Sequence, residues 1–181
     1  MKFVKLNHPD SQEFREAWEI YESSFPLDER RALGLQKELI KNKLYHFFIA
    51  LKNKVLVAII TDWDLGNFLF VEHLAVKEEF RGKGIGTKLL KEYTSKNKQK
   101  MVLEVERPDN ELARKRIRFY ERIGFKLNTF DYLQPSLGKD KNPVPLFLMT
   151  YPDKINNSEF SSTRKKIHTI VHGLKNPLLS S

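Results

Sequence analysis

Apolar residues at Phe14, Ala17, Trp18, Ile20 and Tyr21 recur at the spacing of one helix face, and Ser11 stands where an N-cap belongs. A short strand is expected before them, over residues 1–6. The run Ser24-Phe25-Pro26-Leu27-Asp28 breaks the helix, and a second helix is expected over about 30–43, with Leu33, Leu35, Leu39 and Ile40 as its apolar positions. The pattern then changes. Residues 45–51 and 55–61 are rich in β-branched and aromatic side chains, and Lys52-Asn53-Lys54 between them reads as a tight turn. A third such run, 68–76, follows Leu65-Gly66-Asn67 and completes an antiparallel meander.

Beyond the meander, helices and strands alternate. A glycine-rich turn at 81–86 leads into a helix with Leu89, Leu90 and Tyr93 apolar. A short strand follows at 101–105, then a helix at 112–123 ended by Gly124, and late strands at 125–132 and 144–151. An antiparallel meander followed by β-α-β units implies an α/β fold: a mixed sheet with helices on both faces. Past Pro152 the chain turns polar, and Ile167, Ile170, Val171 and Leu174 recur at helical spacing. The expected organisation is one domain over 1–151 and a polar tail over 152–181 carrying an amphipathic helix packed on it.

The chain of 181 residues is 40% apolar and 30% charged, which excludes both a disordered chain and a membrane protein. It contains no cysteine, so disulfides, thiolate metal sites and a cysteine nucleophile are ruled out. The N-terminus lacks the apolar run of a signal peptide, and a cytoplasmic location is expected. Net charge is +9, which favours an anionic partner without naming one.

Chemistry concentrates in 68–87. A strand, Phe68-Leu-Phe-Val-Glu-His-Leu-Ala-Val76, enters the turn Arg81-Gly-Lys-Gly-Ile-Gly86, and a helix begins at once. Glycines let a ligand approach the backbone, and the first turn of a helix offers unpaired N–H groups and a positive dipole end. Such a turn suits a phosphate or pyrophosphate. Two common phosphate loops are excluded by counting: counted from Gly82, both the P-loop and the dinucleotide fingerprint need a glycine where Thr87 stands.

Taken together, Arg-x-x-Gly-x-Gly after Leu-Ala-Val, and then Phe119-Tyr-Glu-Arg-Ile-Gly-Phe125, resemble the GNAT acetyltransferase superfamily from about Phe68 to Phe125. The meander extends the fit back to Tyr45. The resemblance implies acetyl-CoA as acyl donor. Leu74, Ala75 and Val76 would lie along its pantetheine arm, and Arg81, Gly82, Lys83, Gly84, Ile85, Gly86 and Thr87 would hold its pyrophosphate. One position departs from the family pattern: an Asn often found seven residues before the Tyr is here Ala113, with Asn110 one turn earlier. Arg114, Lys115, Arg116 and Arg118 crowd the same helix and read as a solvated face.

Transfer to an amine needs a neutral nucleophile. An alkylamine titrates near 10.4, so only about one in a thousand is neutral at pH 7. Glu72 lies on the strand among apolar residues, where a carboxylate is costly without a purpose or partner, and it resembles the base of many GNAT enzymes. By strand alternation His73 faces the other way and reads as structural. Tyr120 lies on an apolar stripe with Ala113, Ile117 and Ile123; by resemblance its hydroxyl meets the CoA sulfur. A phenol near 10 protonates a thiolate near 8.5 only uphill, by roughly 2 kcal/mol, so a hydrogen bond to sulfur is the expected role. For the acceptor, Glu29 and Tyr132, with Asp28 and Asp131, are the candidate contacts. The expected activity is acetyl transfer to a primary amine of a small molecule or protein, by direct attack in a ternary complex, with no specific nucleic acid, membrane or metal partner. The competing reading is a GNAT-like module that binds CoA or nucleic acid without catalysis.

Overall fold

The computed structural model describes residues 1–136 and 142–174. Seven strands form one mixed sheet: β1 (Lys2–Lys5), β2 (Tyr45–Lys52), β3 (Val55–Asp64), β4 (Phe68–Val76), β5 (Lys100–Glu106), β6 (Lys126–Gln134) and β7 (Val144–Tyr151). Their order is β1-β2-β3-β4-β5-β7-β6. Phe68 to Phe70 of β4 pair parallel with Lys100 to Val102 of β5, and β1 with β2, β2 with β3, β5 with β7 and β6 with β7 are antiparallel. The mixed α/β reading therefore holds, and the expected limits of β4 and β7 match. The described residues also form five α-helices: α1 (Gln12–Ser24), α2 (Leu33–Leu39), α3 (Ile85–Lys96), α4 (Glu111–Glu121) and α5 (Asn157–Lys166). No helix among the described residues is long and apolar enough to cross a membrane.

The chain divides into two compact units, residues 1–64 with 71–98, and 65–70 with 99–181. In the first, α1 starts at Ser11, whose hydroxyl accepts from the Phe14 N–H at 3.1 Å. It buries Phe14, Ala17, Ile20 and Tyr21, each large side chain contributing about 1.5–3 kcal/mol. The second helix is much shorter than expected. Arg30 has extended backbone (φ −124°, ψ 156°), and α2 covers only seven residues. Leu33 and Leu35, expected to face the core, are exposed; the buried residue of α2 is Gln36, which donates to the Tyr45 hydroxyl at 2.7 Å. Helix α3 is tied to β3 through Asp62, fully buried, which accepts from the Tyr93 hydroxyl and lies 3.0 Å from His46 Nδ1.

In the second unit, β5 buries Met101, Val102, Leu103 and Val105, and α4 buries Ala113 and Ile117. Gly124 follows α4 at φ +113°, and a Cβ there would stand 3.1 Å from the Tyr151 ring, so both backbone and space demand glycine. The last helix begins earlier than its apolar spacing implied. Asn156 and Glu159 form a reciprocal capping box that starts α5, and Ile167–Val171 continue it as a single π-helical turn burying Ile167, His168 and Val171. Ile170, expected on the apolar face, is exposed. The end of the expected tail, 175–181, lies outside the described residues.

Candidate functional site

In the first unit, β4 carries Glu72 into an enclosed polar site. Its side chain is 9% exposed. Oε1 accepts from Arg31 Nη2 at 2.6 Å, and Oε2 accepts from Trp63 Nε1 at 3.1 Å. Burial alone pushes the carboxyl up; the Arg31 charge, then His73 and the hydrogen bonds from Arg31 and Trp63, outweigh it and hold the group down at about 2. Glu72 is thus a carboxylate at any working pH.

His73 does not face away from Glu72 as strand alternation implied. Its Nδ1 lies 3.6 Å from Glu72 Oε2, and its ring meets Thr61 while Glu72 meets Trp63, two residues along the same strand. The local departure from alternation is marked by the His73 N–H, which donates to the Thr61 hydroxyl at 3.1 Å. His73 Nε2 lies 3.2 Å from the Glu29 carbonyl, an acceptor only, so that nitrogen carries a proton, and Nδ1 lies 3.2 Å from the Thr61 hydroxyl. The ring also packs between Tyr21 and Phe25, centroids 4.8 and 4.6 Å away. His73 therefore anchors the 25–31 segment to β4. Glu29 offers its carbonyl to this site, while its residue as a whole is exposed. The Asp28 side chain lies outside the described residues.

The strand continues through Leu74, Ala75 and Val76 to a 3-10 turn at Glu78–Phe80 and then the glycine turn. Gly82 and Gly84 both have φ +72°, with open space where a Cβ would stand. Gly84 is the N-cap of α3 and supplies no side-chain cap, so among the described residues the first N–H groups, those of Ile85, Gly86 and Thr87, have no side-chain acceptor. Arg81 is turned back on the protein: Nε donates to the Val76 carbonyl at 3.0 Å and Nη2 to Ser24 Oγ at 3.1 Å. Lys83 likewise donates to the Glu79 carbonyl at 2.8 Å. The two cations brace the turn.

In the second unit, Tyr120 near the end of α4 is half-buried against Phe119 and Phe125, at 5.1 and 5.7 Å between centroids. Burial pushes its phenol above the ordinary value. Among the described residues its hydroxyl has no hydrogen-bond partner. Asn110 caps α4, accepting from the Ala113 N–H at 2.8 Å, which explains its presence without a ligand. Arg114 and Arg118 pair with Glu111, and Arg116 with Glu106, on an exposed face as expected. Asp131 and Tyr132, candidate acceptor contacts at the end of the strand expected over 125–132, lie within β6, which runs on to Gln134. Asp131 pairs with Arg107 at 3.0 Å. Tyr132 is 1% exposed and donates its hydroxyl to Glu104. Among the described residues there is no group of three or more His, Cys, Asp or Glu able to hold a metal.

Comparison with known proteins follows this geometry. Residues 43–127 match the model of an acetyltransferase (GNAT) domain. A solved structure from Bacteroides thetaiotaomicron, provisionally named an acetyltransferase of the GNAT family, is 34% identical; the match covers 97% of this chain and all of that one, with a TM-score of 0.92. The chain belongs to the GNAT family. A second relative, YjbC of Bacillus subtilis (strain 168), provisionally named an acetyltransferase, is 29% identical over 156 residues, 83% of this chain and 78% of its own. The ribosomal-protein-S18-alanine N-acetyltransferase of Escherichia coli shares the GNAT fold at a TM-score of 0.57 with 19% identity, covering 86% of this chain and 96% of that one. As a GNAT protein this chain is an acetyltransferase.

Proposed function

We propose that this protein transfers an acetyl group from acetyl-CoA to a primary amine of a small molecule or a protein, by direct attack, in the cytoplasm. The observation that carries the reading is the uncapped start of α3, where Gly82 and Gly84 leave room above a row of free N–H groups. A pyrophosphate needs such donors and such clearance. Bound acetyl-CoA supplies an activated thioester; the protein supplies position and proton management. Leu74, Ala75 and Val76 line up the pantetheine arm. Glu72, ionised and fixed by Arg31 and Trp63, draws the proton of the acceptor amine through a water and stabilises the positive charge developing on nitrogen. Held at about 2, it is too weak a base to keep the proton and passes it to solvent. Tyr120, whose raised phenol makes full proton donation still less favourable, serves as a hydrogen-bond donor to the departing sulfur. The exposed Glu29 side chain is the acceptor contact that this arrangement favours over Tyr132, whose hydroxyl is committed to Glu104.

Thermal unfolding with acetyl-CoA tests the donor. The ligand should stabilise the protein by about 2.7 kcal/mol at a hundred times its dissociation constant. Gly84→Asp, which places a negative side chain in the open space, should abolish the shift. A panel of amines scored by release of free CoA thiol then identifies the acceptor class. Absence of any thermal shift at millimolar ligand would overturn the assignment.

A further inference from the structure

Arg31 is absent from any motif, yet it is the residue most tightly engaged with Glu72. It stands just before α2, 41 residues from Glu72 in sequence. Its backbone N–H donates to the Tyr21 hydroxyl at 3.1 Å, and its guanidinium carbon lies 5.9 Å from the Trp63 ring centroid. The side chain is 15% exposed, so this is no solvated surface pair. A guanidinium stacked on an indole and bonded to a carboxylate is held on two sides, which a flexible ammonium does not reproduce.

We propose that Arg31 is a positioning residue for acetyl transfer: it holds the Glu72 carboxylate ionised and oriented toward the acceptor, and pins the segment ahead of α2 to β4. This rests on the reading of Glu72 as the group that receives the acceptor's proton. Two donors occupy one lone pair on each Glu72 oxygen, and a carboxylate offers about four such sites, so room remains for a water or an amine. The groups facing Glu72 are Arg31 from the segment before α2, His73 beside it on β4, Trp63 and, further off, the phenols of Tyr45 and Tyr21. Burial raises both phenols, Tyr21 to about 12, so they stay neutral and cannot replace a cation. Of all the influences on Glu72 burial is the largest, and it favours the protonated acid. Without Arg31, burial is opposed only by His73 and the Trp63 N–H. The carboxyl then keeps its proton to higher pH, and a protonated carboxyl cannot accept one from an amine.

The test compares Arg31→Met and Arg31→Lys with the unmodified enzyme, using carbon NMR titration of labelled glutamate carboxyls and the pH profile of kcat/KM. Assignment of Glu72 comes from the resonance missing in Glu72→Gln. In Arg31→Met the Glu72 midpoint and the acid limb of kcat/KM should rise together, with activity on that limb falling about tenfold per pH unit of movement. The dissociation constant for acetyl-CoA should not change, and Arg31→Lys should bring the limb most of the way back. If Arg31→Met does not fold, Arg31→Gln keeps a donor without the charge and carries the same expectation. A lowered melting temperature with both midpoint and limb unmoved would reduce Arg31 to a staple and overturn the inference, even where Glu72→Gln abolishes turnover. If the NMR midpoint rises but Glu72→Gln retains full turnover, the assignment of Glu72 falls, and with it any catalytic part for Arg31.

Discussion

Two buried polar clusters, one in each compact unit, solve the same problem differently. Around Glu72, each oxygen has a donor, His73 has Thr61 and the Glu29 carbonyl, and Tyr21 receives an N–H from Arg31. Around Glu104 the Tyr132 hydroxyl is satisfied, but the ring nitrogens of the buried His168 and His172 side chains make no hydrogen bond of acceptable geometry among the described residues. His172 Nε2 comes only within 3.7 Å of Glu104. Desolvating a polar group without a partner costs about 1–3 kcal/mol. The comparison teaches that burial of polar groups in this protein is not uniformly compensated. The compensated cluster lies on the strand that leads to the glycine turn, and the uncompensated one lies under a π-turn at the C-terminal helix.

The comparison breaks most visibly through turnover. Glu72→Gln keeps the shape of the first cluster and removes its charge, and turnover should fall about 10²–10⁴-fold while the acetyl-CoA-dependent thermal shift persists. The loss should shrink as pH rises, because more of the acceptor is already neutral. Unchanged turnover at neutral pH would move the base elsewhere. Tyr120→Phe should do less. A hydrogen bond to a charged group is worth about 1.5–3 kcal/mol, so steady-state rates should drop roughly 10–100-fold with the melting temperature nearly constant. Donors with a lower-pKa thiol should suffer less.

The second cluster is sharpened by acid. Burial, then the neighbouring His172 and Arg164, push His168 down from 6.5 to about 4. Between those values the unfolded chain takes up a proton that the folded chain refuses, so stability falls as pH drops through the window and levels off below it. One proton is worth about 1.4 kcal/mol per pH unit, or roughly 3–5 °C in melting temperature for a chain of this size. His168→Phe should remove that part of the slope in a pH series of thermal melts. An unaltered slope would show that the ring is not buried neutral.

How much of this was legible from residues alone follows from the range of each interaction. The strand Phe68–Val76 could be read because its β-branched and aromatic run ends at a charged turn, and the N-cap of α1 because Ser11 sits three residues before Phe14. The length of α2 could not. Its leucines have helical spacing, but Arg30 is extended and Arg31 is held by Tyr21 and Glu72, a tertiary demand that local propensity does not carry. The true start of α5 did have a local signal, Asn156 followed by Glu159, and apolar spacing further on obscured it. The glycine turn was readable as an anion cradle, whereas the partner of Glu72 was not, since nothing near Arg31 distinguishes it from its neighbour Arg30. Tyr132 belongs to the strand as expected, but its burial on Glu104, which takes it away from an acceptor, is a tertiary contact that has no local signal.

The contrast among the glycines has a consequence for laboratory evolution. The Cβ of a residue that tolerates a left-handed backbone, such as Asn, would meet no atom within 4 Å at positions 82 or 84, but at 124 it would press on Tyr151. A library selected only for soluble expression should therefore let the first two positions drift and keep the third. Selected for acetylation instead, the same library should hold all three, so the two screens read out the cradle and the scaffold as separate sets of forbidden letters.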